Sequence, residues 1–253
     1  MTRTNAARQR MLDLFGCFED KYVIGLLSRP DRRRRIERDL DHLGLTVDDL
    51  GIRYFDGLVF DDAAGFPGIG VRGCFNSHRT LMRRCADNGR PMLVMEDDVD
   101  FHADAFADLQ DPRGMLDRQP WDIIYFGYLK PGPLASANAL EPYAGGTIGG
   151  HFYAVQPGFA GAIADYMDAC LDRPPNDPVG GPMYRDAAFT LFRERNPQFT
   201  TLLSAPPLAG QFSSRSDLAL RPRFYDKLPI VRDAVGLARG LLLDMKRAGA
   251  GSR

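Results

Sequence analysis

Short apolar runs alternate along this chain with longer stretches in which apolar residues recur every three or four positions. The short runs end at glycine, proline or acidic residues, as buried strands of a parallel sheet commonly do. They predict strands over residues 22–27, 52–55, 91–95, 121–126, 151–155 and 199–203. The periodic stretches predict helices over residues 29–43, 74–88, 159–170 and 184–195. This alternation predicts an α/β fold with a mostly parallel central sheet flanked by helices.

The pattern divides the chain into three parts. Residues 1–20 have no strong periodicity and are predicted to form an N-terminal arm, and residues 21–225 form the α/β domain. In residues 226–253 apolar clusters alternate with arginine and lysine, which predicts an amphipathic helix and a tail. Such a helix either lies on a membrane surface, as a peripheral contact, or packs on the domain.

Composition and charge narrow the class of protein. The 32 basic and 33 acidic residues give a net charge of -1 and no global field for nucleic acid or an anionic membrane. The four cysteines lie far apart and at no zinc-ligand spacing, so they are expected to be reduced core thiols. The sequence has neither a signal-peptide pattern nor a run of about 18 uncharged apolar residues, so the expected location is the cytoplasm.

Three consecutive carboxylates follow the apolar strand at residues 91–95, namely Glu96, Asp97 and Asp98. Carboxylates at the end of a buried strand are unfavourable unless cations or hydrogen-bond donors compensate them. A divalent cation, Mn2+ or Mg2+, is the simplest compensator and suits oxygen ligands. Glu96 and Asp98 alternate along an extended chain, so both can face a cleft, while Asp97 turns toward the scaffold or a ligand. The alternative is a solvated acidic turn before a helix.

The junction between the first strand and its helix is a candidate anion site. Ser28, Arg29 and Arg32 lie where helix N-H groups and the helix dipole favour phosphate. Ser28 is also the expected helix cap. The following arginines, Arg33 to Arg35, are interpreted instead as a solvated helix face with acidic partners nearby.

Two histidines are further candidates. His78 shares a helical stripe with Leu81 and Met82, which indicates a hydrogen-bonded core histidine, a contact to a phosphate, or a brace for the acidic turn. His151 begins a strand beside a glycine-rich loop, where it is either a metal ligand or a structural residue.

Several segments together resemble glycosyltransferase family 25, the lipopolysaccharide-type β-galactosyltransferases. They are Val23-Ile24-Gly25-Leu26-Leu27-Ser28-Arg29-Pro30-Asp31-Arg32-Arg33, Asp56-Gly57, Gly73-Cys74-Phe75-Asn76-Ser77-His78, Leu93 to Val99, and His151-Phe152-Tyr153-Ala154-Val155. The resemblance covers roughly residues 21 to 171. It implies a GT-A type fold, a UDP-sugar donor that is usually UDP-galactose, and inversion at the anomeric carbon.

Within this resemblance the candidate residues take specific roles. The predicted metal ligands are Glu96, Asp98 and His151. The predicted donor-binding residues are Ser28, Arg29, Arg32, Asp56, His78, Asp97, Arg215 and Asp217. An inverting transfer needs a base for the acceptor hydroxyl, and Asp186, in the first turn of a predicted helix, is the candidate, with helix capping as the alternative. For Arg215 and Asp217 the alternative is a surface ion pair.

The acidic turn predicts a metal-dependent reaction. The resemblance implies that this reaction transfers a hexose, with galactose the first candidate, from a UDP-sugar to a hydroxyl of a surface glycan or lipopolysaccharide-type acceptor, which can be lipid-linked. One alternative is a noncatalytic nucleotide-sugar or glycan binding protein with the same fold. A less favoured one is a phosphatase-like hydrolase that uses Asp98 and Asp100, because the residues expected around such a pair are missing.

Overall fold

The strands and helices follow the apolar pattern closely. The computed structural model describes residues 2–129, 139–147 and 149–212. The helices are α1 (Arg3–Phe15), α2 (Pro30–Asp41), α3 (Ile69–Asn88), α4 (Ala103–Asp108), α5 (Pro112–Asp117), α6 (Pro157–Leu171) and α7 (Arg185–Arg195). The strands are β1 (Asp20–Gly25), β2 (Arg53–Asp56), β3 (Met92–Glu96), β4 (Val99–Phe101), β5 (Ile123–Gly127), β6 (Ala139–Pro142), β7 (Phe152–Val155), β8 (Thr201–Ala205) and β9 (Ala209–Gln211).

The strands form one sheet whose main path has the order β2-β1-β3-β7-β5-β8-β6. Along this path β2, β1, β3, β5 and β8 point the same way, whereas β7 and β6 run against them. Beside the path, β4 pairs with β9, and β9 pairs with the end of β5. The carboxyl ends of the five parallel strands therefore meet at one edge, where open α/β sheets commonly bind ligands.

The sheet is covered on both faces because successive side chains point to opposite sides of each strand. On β3, Leu93 and Met95 pack against α1, α2, α4 and α5, whereas Met92 and Val94 pack against α3, α6 and α7. All four of these side chains are fully buried. The α/β fold with a mostly parallel central sheet flanked by helices, as a GT-A type fold requires, is confirmed.

The segment predicted as an N-terminal arm contains helix α1. Thr2 caps this helix by accepting a hydrogen bond from the Asn5 N-H at 3.2 Å. Met11, Leu14 and Phe15, three and four positions apart, are buried in the core beside α4 and α5. A docked helix was not expected in this segment. Three apolar residues on one face are enough to dock it, although the rest of the helix is polar.

Other sequence predictions can be compared directly. The four cysteines are free thiols; Cys85 and Cys170 are buried in the core as predicted, whereas Cys17 and Cys74 are only partly buried. Arg29, not Ser28, occupies the N-cap position of α2, and no side chain caps that helix.

Within the part of the chain that the structure describes, no helix has both the length and the hydropathy needed to cross a membrane. The predicted C-terminal helix, residues 226–253, lies outside the described residues.

The docking of α1 can be tested with a cavity substitution. Leu14→Ala should reduce the free energy of unfolding by about 2 to 5 kcal/mol, because it removes a fully buried side chain. Urea denaturation followed by circular dichroism measures this change. Thr4→Ala, on an exposed position of the same helix, is the control and should change stability by about 0.5 kcal/mol or less. Equal, small effects of the two substitutions would contradict the docked helix.

Candidate active site

The acidic turn lies at the carboxyl end of the central strand β3 and is fixed by backbone hydrogen bonds. The Glu96 N-H donates to the His151 carbonyl at 2.9 Å, and the Asp97 N-H donates to the Ile24 carbonyl at 2.9 Å. Asp97 and Asp98 then form the turn into β4. The turn is therefore held between β1 and β7, and the three carboxylates diverge from one anchored segment.

The carboxylate of Asp97 points into the scaffold. Its Oδ1 accepts a hydrogen bond from Arg32 Nη1 at 2.5 Å, and both side chains are largely buried. Burial raises the pKa of Asp97, while the Arg32 guanidinium acts in the opposite direction. A Cβ at Gly25 would lie 2.8 Å from Asp97 Oδ2, so glycine at the end of β1 makes room for this carboxylate. This pair ties the acidic turn to α2, whereas donor binding by Asp97 and Arg32 stays a prediction.

Glu96 is compensated by an arginine that the sequence analysis did not single out. Its Oε1 accepts a hydrogen bond from Arg185 Nη2 at 2.5 Å, and the Arg185 side chain is only 4% exposed. Burial by itself would raise the pKa of Glu96, but Arg185 and the neighbouring His78 lower it below its usual range. Glu96 is therefore an ionised carboxylate with a protein cation already beside it.

His78 is a second residue that lies against Glu96. Its Nδ1 lies 2.7 Å from the Tyr153 hydroxyl, and its Nε2 lies 3.4 Å from Glu96 Oε1. The ring is fully buried and stacks on Tyr153, and burial lowers the pKa of His78, which favours the neutral imidazole. Of the predicted roles, this geometry favours the brace for the acidic turn over direct contact with a phosphate.

Asp98 differs from its two neighbours because no ion pair compensates it among the described residues. Gln211 Nε2 donates to Asp98 Oδ2 at 2.8 Å, but Asp98 Oδ1 is buried without a hydrogen-bond partner in that part of the chain. Burial and the nearby negative charge of Glu96 raise the pKa of Asp98. A buried, unpartnered carboxylate oxygen is unfavourable unless a ligand completes the site.

These observations test the fit of a divalent cation. The unpartnered Oδ1 of Asp98 fits one, because Mn2+ and Mg2+ prefer carboxylate oxygens and would replace the missing partner. Cys74, His78 and Glu96 form a second group, with possible ligand atoms within 4.8 Å of one another. That group fits Mn2+ or Mg2+ less well, because a thiol and an imidazole are softer ligands than the carboxylate oxygens these ions prefer. In that group, Glu96 also already forms an ion pair with Arg185. Asp98 is therefore the residue that would hold the ion.

His151, the third predicted ligand, is enclosed by backbone. Its Nδ1 lies 2.5 Å from the Gly149 carbonyl oxygen and its Nε2 lies 3.2 Å from the Ala209 carbonyl oxygen. A Cβ at Gly127 would lie 2.6 Å from the same Nε2. A neutral imidazole has one N-H, so only one carbonyl accepts a hydrogen bond in either tautomer. His151 would have to reorient before it could bind a metal, and this role stays a prediction.

Asp186, the predicted base, lies in the first turn of α7, with a hydrogen bond to one oxygen and, at the other, an ion pair that is not a hydrogen bond. Its Oδ2 accepts a hydrogen bond from the Gly149 N-H at 2.8 Å, and its Oδ1 lies 2.6 Å from Arg185 Nη1. It bonds a loop before β7 and not the N-terminus of its own helix. The geometry joins Asp186 to Glu96 through one guanidinium, while its role as base stays a prediction.

The remaining donor-binding candidates lie at the same edge of the sheet or outside the described residues. Ser28 is exposed in the turn after β1. Arg29 donates two hydrogen bonds to Asp31, at 2.9 and 2.8 Å, and lowers the pKa of Asp31 to about 2. Asp56, at the carboxyl end of β2, is half exposed and forms an ion pair with Arg33. The candidates Arg215 and Asp217 lie beyond residue 212, outside the described part of the chain.

Sequence reasoning missed Arg185, although the chain carries a signal for it. Arg185, Phe189 and Phe192 are spaced four and three positions apart, which places the arginine on the buried face of α7. A charged residue in an apolar stripe needs a charged partner. Gln211 gave no comparable signal, because it lies in a three-residue strand that only its pairing with β4 reveals.

Comparison with known proteins supports the family resemblance. No family model matches the chain. A glycosyltransferase 25 family member of Anopheles gambiae is 32% identical over 127 residues, 42% of this chain and 21% of that protein. Procollagen galactosyltransferase 1 of Danio rerio is 33% identical over 130 residues, 44% of this chain and 21% of that protein. Inactive glycosyltransferase 25 family member 3 of Homo sapiens is 29% identical over 157 residues, 54% of this chain and 26% of that protein.

The matched stretch thus spans about a fifth to a quarter of the length of these curated relatives. The predicted resemblance to glycosyltransferase family 25 is confirmed over this part of the chain. One relative is named a procollagen galactosyltransferase and another an inactive family member.

The pairing of Arg32 with Asp97 can be tested by a double-mutant cycle. Arg32→Met leaves a buried carboxylate without its cation and should reduce the free energy of unfolding by about 3 to 5 kcal/mol. Arg32→Met combined with Asp97→Asn should be less destabilised than Arg32→Met alone, because both charges are removed together. Urea denaturation of the four proteins measures the coupling. Strictly additive losses would contradict a buried ion pair.

The raised pKa of Asp98 predicts a pH-dependent stability. Above the ordinary carboxyl value of 3.8, the folded chain retains a proton on Asp98 that the unfolded chain has lost. The contribution of Asp98 to stability therefore falls as the pH rises from there through the raised pKa. Asp98→Asn removes this titration, so the variant should gain stability relative to the unsubstituted protein over the same range.

Thermal unfolding of both proteins between about pH 4 and pH 8 measures this difference. Asp117→Asn, an exposed carboxylate on α5, serves as the control and should follow the unsubstituted protein throughout. A difference between Asp98→Asn and the unsubstituted protein that stays constant with pH would contradict the prediction.

Proposed function

We propose that this chain is a glycosyltransferase that moves a hexose, with galactose the first candidate, from a UDP-sugar to a hydroxyl of a glycan. The similarity to glycosyltransferase 25 family members, including one named a procollagen galactosyltransferase, supports this reaction class. The single observation that carries it is the buried oxygen of Asp98, near the carboxyl end of the central strand, which has no hydrogen-bond partner among the described residues. That oxygen is where a divalent cation and a diphosphate would complete the site.

Different residues of the chain have different roles in an inverting transfer. Asp98 would hold a Mn2+ or Mg2+ ion, which when bound neutralises charge on the departing UDP. The pair of Arg32 and Asp97 holds the acidic turn in place. As UDP leaves, the acceptor hydroxyl attacks the anomeric carbon from the opposite face and gives its proton to a base. Asp186 is the proposed base, and it would first release one of its two present contacts.

The acceptor and location belong to the same proposal. A surface glycan or lipopolysaccharide-type acceptor is supported by the family resemblance, and peripheral contact with a membrane is supported by the basic amphipathic pattern in residues 226–253. The cytoplasmic location is supported by the spacing of the cysteines.

A noncatalytic nucleotide-sugar or glycan binding protein is the second candidate. The human relative named inactive favours this alternative, and so does the ion pair of Glu96 with Arg185, which leaves fewer carboxylates for a metal. The phosphatase-like alternative has less support. Asp100 forms an ion pair with Arg35 at 3.2 Å, so it is directed toward α2, whereas the Asp98 carboxylate contacts Gln211.

Release of UDP from UDP-galactose separates an enzyme from a binding protein. With Mn2+ and a panel of monosaccharide acceptors, the protein should release UDP, and Asp98→Asn should reduce the rate by about 100-fold or more, since metal charge stabilisation is lost. Asp117→Asn is the matched control and should retain the rate of the unsubstituted protein.

Thermal shift with UDP-galactose and Mn2+ accompanies the rate measurement. A ligand that binds the folded state raises the melting temperature whether or not it is turned over. A rise in melting temperature without UDP release would favour the binding protein. Neither a rise nor release with any of several nucleotide-sugars would overturn the proposed function.

A further inference from the structure

One guanidinium bridges Glu96, which is close in sequence to the proposed metal ligand Asp98, and Asp186, the proposed base. Arg185 Nη2 lies 2.5 Å from Glu96 Oε1, and Arg185 Nη1 lies 2.6 Å from Asp186 Oδ1. We infer that Arg185 is a positioning residue of the proposed transferase. By neutralising Glu96 and fixing Asp186, it leaves Asp98 as the carboxylate that binds the divalent cation. This inference rests on the proposed function.

Packing fixes the guanidinium in this bridge. Its central carbon lies 5.5 Å from the centre of the Phe189 ring and 5.8 Å from that of Tyr153. A Cβ at Gly150 would lie 3.0 Å from Arg185 Nη1, so the backbone also approaches it closely. With 4% of its side chain exposed, Arg185 does not reach a substrate and acts through the carboxylates it holds.

The charges around the acidic turn determine how the contacts of Arg185 affect metal binding. Arg32 compensates Asp97 and Arg185 compensates Glu96, so only the third carboxylate of the turn lacks a cation among the described side chains. The number of free carboxylates sets how tightly a site holds a divalent cation. A site with one free carboxylate binds the ion weakly and leaves much of its charge for the diphosphate. Without Arg185, the ion would be drawn to Glu96 as well.

The inference predicts opposite effects on metal binding and turnover. Arg185→Met should bind Mn2+ about tenfold more tightly, because a positive charge near the metal site is lost. The same variant should release UDP more slowly, because Glu96 and Asp186 are no longer held. Electron paramagnetic resonance of free Mn2+ gives the affinity, and a UDP assay gives the rate.

Arg193→Met is the matched control on the same helix. Arg193 is also buried, but its partners are neutral: Thr201, Thr147 and the carbonyl oxygens of Tyr143 and Gly145. Its removal should lower stability without tightening Mn2+ binding. A structural loss alone therefore does not reproduce the effect expected of Arg185→Met.

Two further variants keep the test decisive if Arg185→Met folds poorly. Arg185→Lys retains the charge but lacks the planar fork that reaches two carboxylates. It should keep the unsubstituted Mn2+ affinity and release UDP more slowly. Arg185→Met combined with Glu96→Gln removes both charges. It should return Mn2+ affinity to that of the unsubstituted protein and recover most of the stability lost by Arg185→Met alone.

The outcomes distinguish this inference from the proposed function. The inference would be overturned if Arg185→Met bound Mn2+ no more tightly than the unsubstituted protein. It would also be overturned if the stability losses of Arg185→Met and Glu96→Gln simply added. In either case, UDP release by the unsubstituted protein would still support a transferase. No UDP release from the unsubstituted protein would overturn the proposed function and, with it, the role of Arg185 in turnover. The stability cycle, which needs neither metal nor donor, would then still decide whether Arg185 compensates Glu96.

Discussion

The central constraint in this protein is the accumulation of negative charge at the end of a buried strand. Three consecutive carboxylates stand at the end of β3 and in the turn after it, and their mutual repulsion and loss of water would oppose folding without compensation. The fold brings an arginine to each of the first two, Arg32 to Asp97 and Arg185 to Glu96. The third, Asp98, has only an amide donor among the described residues. The arrangement thus concentrates the unbalanced charge on one side chain.

The architecture explains how these partners meet. Arg32 comes from α2, 65 positions before Asp97, and Arg185 comes from α7, 89 positions after Glu96. Parallel strands return the chain repeatedly to the same edge of the sheet, so helices that begin there can direct their first turns at one point. The antiparallel strand β7 contributes Tyr153, whose hydroxyl contacts the His78 ring. His78 in turn contacts Glu96.

Much of the fold was predictable from the sequence, because buried strands and amphipathic helices leave local patterns. β3, α3 and α6 lie close to the predicted ranges, and Gly89, with a positive φ of 64°, ends α3 where Asn88-Gly89 predicts. Helix α1 was not predicted, since only one narrow face is apolar. The short strands β4, β6 and β9 have too few residues for a periodicity and depend on their sheet partners.

The site was predictable only in part. The acidic turn is local in sequence, so its position after an apolar run was enough to identify it. The compensating arginines are remote, and which arginine reaches which carboxylate depends on tertiary contacts. The predicted metal ligation by Glu96 and Asp98 stays a prediction, but the sequence did not indicate that arginines of the protein lie beside Asp97 and Glu96.

Helix α1 has a consequence for the order in which the chain assembles. Arg3 forms an ion pair with Asp104, 101 positions further along, and the apolar face of α1 packs beside α4 and α5. During synthesis on the ribosome, Met11, Leu14 and Phe15 therefore cannot pack against α4 and α5 until about a hundred further residues have emerged. A contact of such long range closes late in folding, so until then the apolar face of this helix is exposed to association with other chains.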